Sequence, residues 1–137
     1  MLVTPNPSSN SSQIGELLRC FPLLADLSPS QLDELAAQGK LWRYSLGQPI
    51  CRLDQGLQHL LFLLQGQARS VVMSPRLPRG VTTLERLDSG ALLGWTSLSC
   101  GRNWETLIAS TELVVIAIPY GAMRAAMDLS LIHISEP

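Results

Sequence analysis

The apolar residues near the start of the chain recur every three or four positions, which is the spacing of one face of an α-helix. The pattern runs through Ile14, Leu17, Leu18 and Phe21. Pro22 then stops it, so the sequence predicts a short first helix. Residues 1–12 are rich in Pro, Ser and Asn and predict a disordered lead.

A second helix is predicted to begin at the run Ser28-Pro29-Ser30-Gln31. Ser28 is placed to be the N-cap, Pro29 is suited to the first helical position, and Gln31 can close a capping box. Apolar residues at helical spacing then follow: Leu32, Leu35 and Ala36. Gly39 is the predicted end of this helix.

After Lys40 the apolar residues alternate with polar ones, which predicts half-buried strands. The first strand carries Trp42, Tyr44 and Leu46. Turn residues separate further short strands, predicted at Pro49–Leu53, His59–Gln65, Ala68–Met73, Val81–Leu87, Leu107–Ala109 and Glu112–Ile118. A helix is predicted again over Tyr120–Met127. The fold class is therefore mainly β, a small barrel or jelly roll with attached helices.

Composition narrows the function classes. The chain has 137 residues, of which 46% are hydrophobic and 15% charged, and this suits one compact domain. A net charge of −1 gives no electrostatic basis for direct nucleic-acid binding. No apolar run approaches the roughly 18 residues of a membrane span, and the start lacks the features of a signal peptide. We therefore expect a cytoplasmic protein that does not itself enter a membrane.

The chemistry-bearing residues do not predict an enzyme. Cys20, Cys51 and Cys100 are odd in number and lack CxxC spacing, which favours reduced thiols. His59 and His133 lie far apart, and His59 is predicted to be a strand-end or surface histidine. No GxSxG, HExxH or GxxxxGK[ST] motif occurs. The sequence therefore predicts no catalytic residue, no metal site and no cofactor.

In order and spacing, these landmarks resemble the cyclic-nucleotide-binding domain family. Gly47 and Gly66 lie nineteen residues apart around a strand, a turn and a strand. The run DSGALLG, residues 88–94, resembles the entry to the family's phosphate-binding cassette. Ala109 and residues 111–119 resemble its return strands. The resemblance implies an antiparallel β-roll with N-terminal helices and a short C-terminal helix, here over residues 13–129.

The resemblance also implies a ligand site in three parts. A short helix presents backbone N–H groups to the cyclic phosphate. A glutamate directly after the cassette glycine accepts from the ribose 2′-hydroxyl, and an arginine pairs with the phosphate. This chain keeps Gly94, followed by the hydroxyl-bearing Thr96 and Ser97, but Trp95 occupies the glutamate position.

The arginine position is also altered. Counting back six residues from Ala109 gives Asn103, and counting forward ten from Gly94 gives Trp104. The neighbouring Arg102 is either a displaced phosphate anchor, aimed inward by a one-residue slip, or a solvated side chain. Glu105 falls at a strand start and cannot occupy the ribose position.

Two interpretations of Trp95 and Trp104 remain open. The indoles stack on a planar ligand, or they plug the pocket that the nucleotide would fill. A small anionic or planar ligand is the expected partner in the first case, and binding of cyclic AMP or cyclic GMP at micromolar concentration is not expected. Asp54, where the family has a further glycine, suits a turn.

The parent protein is expected to be longer, with other domains as partners. Residues 46–52 and 61–68 resemble the N-terminal domain of some cyanobacterial peptide-exporting ABC transporters. The predicted function is a non-catalytic regulatory or sensor module with lost or altered nucleotide binding. The alternatives are a pure protein-interaction domain with a filled pocket and a sensor fragment of a transcription regulator.

Residues 130–137 are too short for the lid helix that follows the family's hinge helix, and they resemble translated adapter sequence. Deleting them is expected to leave the melting temperature nearly unchanged, because they add few periodic apolar positions. Thermal denaturation of the truncated and full chains measures this, and a loss of several degrees would place the tail within the fold.

Overall fold

The computed structural model describes residues 11–51, 57–73, 81–94 and 106–130. Within these residues the chain forms α1 (Ser11–Leu18), a 3₁₀ helix (Pro22–Leu24), α2 (Pro29–Gln38), β1 (Lys40–Tyr44), β2 (Pro49–Cys51), β3 (His59–Gln65), β4 (Ala68–Met73), β5 (Val81–Leu87), β6 (Leu92–Leu93), β7 (Thr106–Ala109), β8 (Leu113–Pro119) and α3 (Tyr120–Ser130).

The described strands pair antiparallel in two four-stranded sheets. Sheet 1 has the order β1-β8-β3-β6, and sheet 2 has the order β2-β7-β4-β5. Consecutive strands often lie in different sheets, so the chain crosses repeatedly between them. This arrangement confirms the predicted mainly β fold, a double-sheet roll framed by helices.

The predicted capping box starts α2. The Gln31 amide donates to Ser28 Oγ at 3.2 Å, and the Ser28 amide donates to Gln31 Oε1 at 2.9 Å. Pro29 is the first helical residue, where its missing N–H costs nothing. Gly39 ends the helix with extended backbone, φ −85°, and the chain passes directly into β1. Among the described helices, none combines the length and apolar content needed to cross a membrane.

The strands β3 and β8 are buried on both faces. From β3, Leu60 and Phe62 pack with the helices, and from β8 so do Ile116 and Ile118. The alternate residues of both strands face the space between the sheets: Leu61, Leu63, Leu113, Val115 and Ala117. Residues of a strand alternate between the sheet's two faces, so these two strands hold both hydrophobic cores together.

The helices cover the outer face of sheet 1. Ile14, Leu18, Leu24 and Leu35 are buried there with Met123 of α3. At the centre, the rings of Phe21 and Phe62 meet edge to face, with centroids 4.9 Å apart. This geometry is favourable for aromatic pairs. The predicted amphipathic helices are therefore one layer on one sheet.

Most predicted elements differ from the observed ones only at their ends. The 3₁₀ helix and β6 are not among the predicted elements, and Leu46 lies beyond the end of β1. The bounds of β3, β4 and β5 are those predicted. In β2 the described strand stops at Cys51, and Leu53 lies outside the described residues. The first helix begins at Ser11, inside the predicted lead, and α3 continues to Ser130, three residues beyond its predicted end. The domain bounds themselves stay a prediction.

Strand periodicity predicts that most of the roll core comes from Leu61, Leu63, Val71, Leu84, Leu113, Val115 and Ile118. Six of these residues are buried, and the side chain of Leu84 lies outside what the structure describes. Ile118 faces the helices rather than the roll. Its strand β8 is covered on both sides, so successive buried residues of β8 pack alternately in the helix-facing core and in the core between the sheets.

Leu63→Ala is expected to lower the free energy of unfolding by about 2–5 kcal/mol, because the fully buried side chain would leave a cavity between the sheets. Leu46→Ala removes the same atoms from a residue that is 72% exposed, and its effect is expected to stay within about 0.5 kcal/mol. Urea denaturation measures both; equal effects would contradict the assignment of Leu63 to the core.

Candidate functional site

The candidate site lies where the chain crosses from sheet 1 to sheet 2. Strand β6 pairs with β3 in sheet 1, with Leu93 opposite Leu61. Strand β7 lies between β2 and β4 in sheet 2, with Thr106 opposite Val71. The segment between Gly94 and Thr106 thus has one end held in each sheet.

The entry to this segment is held by backbone hydrogen bonds to β3. The Gly90 amide donates to the Leu63 carbonyl at 2.8 Å, and the Leu63 amide donates to the Ala91 carbonyl at 2.9 Å. The Ser89 hydroxyl donates to the Leu64 carbonyl at 3.2 Å. These contacts fix the turn before β6 against the central strand.

Gly94 has a conformation and a setting that favour glycine. Its φ is +91°, in the region that L side chains seldom adopt. A Cβ at this position would lie 2.8 Å from both Leu57 Cδ1 and Tyr120 Oη, and 3.2 Å from the His59 carbonyl oxygen. The backbone conformation and the close neighbours therefore both favour glycine at the start of the candidate cassette.

Tyr120 links this glycine to the C-terminal helix. Its hydroxyl donates to the Gly94 carbonyl at 2.7 Å, and its backbone N–H donates to the Gln58 carbonyl at 3.1 Å. Tyr120 is the first residue of α3. The end of β6 is therefore hydrogen-bonded directly to the first residue of α3.

His59 supports the same junction from β3. Its ring packs on Trp42 with centroids 4.7 Å apart and planes tilted by 57°. Partial burial, and secondly the charge of Lys40, lower the pKa of His59 below its usual value. The imidazole is therefore mainly neutral at pH 7. The predicted strand-end position is confirmed, although the ring is half-buried against an aromatic partner.

Few polar groups lie between the sheets. Ser70 is the buried polar residue of the described part of the chain, 1% exposed, and it stands opposite Leu107 of β7. Tyr44 packs in the same core as Cys51. Burial, and secondly the nearby Cys51, raise the pKa of Tyr44 to about 12, so its phenol stays protonated. The described interior offers neutral hydroxyl groups and no fixed charge.

Of the predicted site residues, Gly94 is described, with φ +91° directly after β6, and its part in ligand binding stays a prediction. The others lie outside the described residues: Trp95, Thr96, Ser97, Arg102, Asn103 and Trp104. The neighbours of Gly94 are Leu57, His59 and Tyr120, and none of them is a predicted site residue. Tyr120 is 26 residues from Gly94, and no local pattern signals that contact.

The described ranges contain no cluster of potential metal ligands. No group of three or more His, Cys, Asp or Glu side chains there is close enough to hold an ion. Neither of the described cysteines, the exposed Cys20 and the buried Cys51, forms a disulfide.

The chain matches the family model described as cyclic nucleotide-binding domain over residues 41–130. A comparison with curated proteins returned no match. The match runs from the second residue of β1 to the end of α3 and includes Gly94 and Tyr120.

Solved structures share the fold at low identity. The sensor domain of the transcriptional regulator DNR from Pseudomonas aeruginosa aligns with TM-score 0.78 and 19% identity, over 88% of this chain and 81% of that one. The regulatory domain of Toxoplasma gondii PKA with cAMP aligns with TM-score 0.77 and 14% identity, over 88% and 46%. The regulatory subunit of a cAMP-independent protein kinase A from Trypanosoma brucei, as a mutant bound to cAMP, aligns with TM-score 0.77 and 16% identity, over 88% and 44%.

These likenesses confirm the predicted roll fold. The chain spans less than half the length of the two kinase regulatory structures. At such low sequence identities, the similarity to these structures shows a shared fold and nothing further.

Gly94→Ala is expected to destabilise the protein more than Gly90→Ala. Both glycines have φ near +90°, which costs an alanine about 1–2 kcal/mol. An added methyl at Gly90 meets no atom within 4 Å, whereas at Gly94 it crowds Tyr120 and Leu57, for about 1–3 kcal/mol more. Urea denaturation measures the free energy of unfolding of both variants, and the difference between their losses is the contribution of steric crowding at Gly94. Equal losses would contradict the close approach at Gly94.

Proposed function

Since the chain belongs to the cyclic nucleotide-binding domain family, we propose that it is a non-catalytic regulatory or sensor module whose cassette has lost or altered its recognition of cyclic nucleotides. The observation that carries the proposal is the residue after Gly94. The family's ribose-binding glutamate is expected there, and this chain has Trp95. An indole cannot accept a hydrogen bond from a ribose hydroxyl, because its polar group is an N–H donor.

The phosphate anchor is altered in the same way. Asn103 and Trp104 occupy the two positions at which the expected arginine could fall, and neither is charged. A hydrogen bond to a charged group contributes about 1.5–3 kcal/mol. Loss of both the glutamate and the arginine contacts therefore removes about 3–6 kcal/mol, or two to four orders of magnitude in affinity.

What remains supports weak binding at most. Backbone N–H groups at the cassette would still attract a small anionic ligand, and Trp95 and Trp104 would accept a planar one if they stack. We favour the plug for the two indoles, because a bulky ring at a position suited to a carboxylate fills space that the ligand needs. Arg102 is the alternative phosphate anchor.

A sensor needs a path from its pocket to a moving part. Gly94 opens the cassette, and the Tyr120 hydroxyl joins its carbonyl to the first residue of α3. A ligand or a partner that shifts the cassette entry would alter this hydrogen bond, and with it the position of α3. This contact supports a regulatory role for the module.

The fold is compatible with a change of ligand response. One similar structure is described as the regulatory subunit of a cAMP-independent protein kinase A, and another as the sensor domain of a transcriptional regulator. We propose that this module acts in the cytoplasm as one domain of a longer chain. A peptide-exporting ABC transporter is the proposed parent, on the sequence resemblance of residues 46–52 and 61–68.

Isothermal titration calorimetry of the full chain with cyclic AMP and cyclic GMP tests the proposal. No binding is expected at micromolar concentration. Trp95→Glu combined with Asn103→Arg is expected to gain affinity, because it restores an acceptor and a cation where the family has them. Trp95→Glu alone is the matched control and is expected to gain less. Trp95→Glu with Trp104→Arg covers the second possible arginine position.

The outcomes separate the candidate functions. Micromolar binding by the unaltered chain would overturn the proposed loss and point to Arg102 as the anchor. Binding by a double variant but not by the unaltered chain supports a roll that has kept its pocket. Absence of binding heat for every variant favours the alternative, a protein-interaction domain whose pocket is filled by indoles.

A further inference from the structure

The rings of Trp42 and His59 meet on the inner face of sheet 1, with centroids 4.7 Å apart. Trp42 belongs to β1 and His59 to β3, and β8 lies between these two strands. Strand alternation puts His59 on the same face as Leu61 and Leu63, which fill the space between the sheets. Trp42 packs against the same core. The ring contact therefore joins two strands that are not neighbours in the sheet.

The backbone around His59 borders the cassette entry. His59 is the first residue of β3, and its carbonyl oxygen would lie 3.2 Å from a Cβ at Gly94. The Gln58 carbonyl, one residue earlier, accepts from the Tyr120 N–H at 3.1 Å. Ends of strands open more readily than their middles. The contact with Trp42 is thus a side-chain support for a backbone segment that touches both Gly94 and the first residue of α3.

A positive charge on this imidazole would be poorly accommodated. The ring is half-buried, so the charged form would lose part of its hydration. Lys40 stands two residues before Trp42, on the same face of β1, and adds a like charge. Burial first, and Lys40 second, place the pKa of His59 below the 6.5 that is usual for histidine.

The elements packed against His59 offer little to offset this. Lys40 of β1 is the described charged group that acts on the ring. On β8 the residue opposite His59 is Pro119, and β6 contributes leucines. From α3, the Tyr120 phenol donates its proton to the Gly94 carbonyl at 2.7 Å. Within the described part of the chain, no carboxylate raises the pKa of the ring.

We propose that protonation of His59 separates its ring from Trp42 and loosens the start of β3, so that the junction of Gly94 with Tyr120 responds to pH. The neutral ring packs on the indole, whereas the imidazolium gains hydration by leaving it and moving away from Lys40. The folded chain binds this proton less readily than the unfolded chain. The contribution to stability is therefore complete above pH 6.5 and is lost as the pH falls through the lowered pKa. This response belongs to the junction and does not depend on what the cassette binds.

The test is an NMR titration of the ¹³C,¹⁵N-labelled full chain from about pH 8 to about pH 5, a range in which histidine titrates and ordinary carboxylates stay ionised. The His59 ring is expected to titrate with a midpoint below 6.5. Over the same range, the nuclear Overhauser effect between the His59 and Trp42 rings should weaken. Protection of the Tyr120 amide against hydrogen exchange should fall severalfold. Lys40→Gln is expected to raise the midpoint, because it removes the like charge.

Two variants remove the ionisation. His59→Phe keeps a ring against Trp42, His59→Gln does not, and in both the Tyr120 amide should keep the same protection factor across the range. His133→Gln is the matched control, since it removes the other histidine of the chain and should leave the response unchanged.

Three results would each overturn the proposal. A His59 midpoint at or above 6.5 would show that cation–π attraction to Trp42 prevails. Protection of the Tyr120 amide that stays constant while His59 titrates would show that the charge does not loosen the junction. A loss of protection that persists in both His59 variants, or that disappears in His133→Gln, would assign the response to another group.

Discussion

The antiparallel pairing of β3 with β8 is the constraint on which the rest of this structure depends. Both strands are buried on both faces, so alternate side chains fill two different cores. A slip of one residue would exchange the two sets, turning Leu61 and Leu63 toward the helices and Phe62 toward the roll. The register is therefore strongly specified by packing on both sides.

That register also positions the candidate site. His59 is opposite Pro119 at one end of the pairing, so Tyr120 follows immediately and its amide reaches the Gln58 carbonyl. From there the Tyr120 hydroxyl reaches Gly94 at the end of β6, itself held on β3. The cassette entry and α3 meet because one strand pair brings them together, which is the mechanical basis of the proposed sensor role.

The outer faces of the two sheets differ in the side chains that they carry. Helices cover sheet 1 and pack on it through apolar contacts. The outer face of sheet 2 carries Arg69 opposite Arg86 and a pocket with polar side chains.

The sequence alone determined the fold class and most of the elements. Alternation of apolar residues is set by side-chain direction along a strand, and the capping box at Ser28 is satisfied within four residues, so β3, β4, β5 and the start of α2 were predictable. Gly94 could also be identified from the sequence, because it ends the short run DSGALLG. The tertiary structure decided which face of each buried strand belongs to which core, as Ile118 illustrates, because a continuous apolar run does not distinguish its two sides. It also decided the contact of Tyr120 with Gly94 and the opposition of Arg69 and Arg86. These depend on strand register across turns and between distant segments, and no short-range pattern in a single sequence records that register.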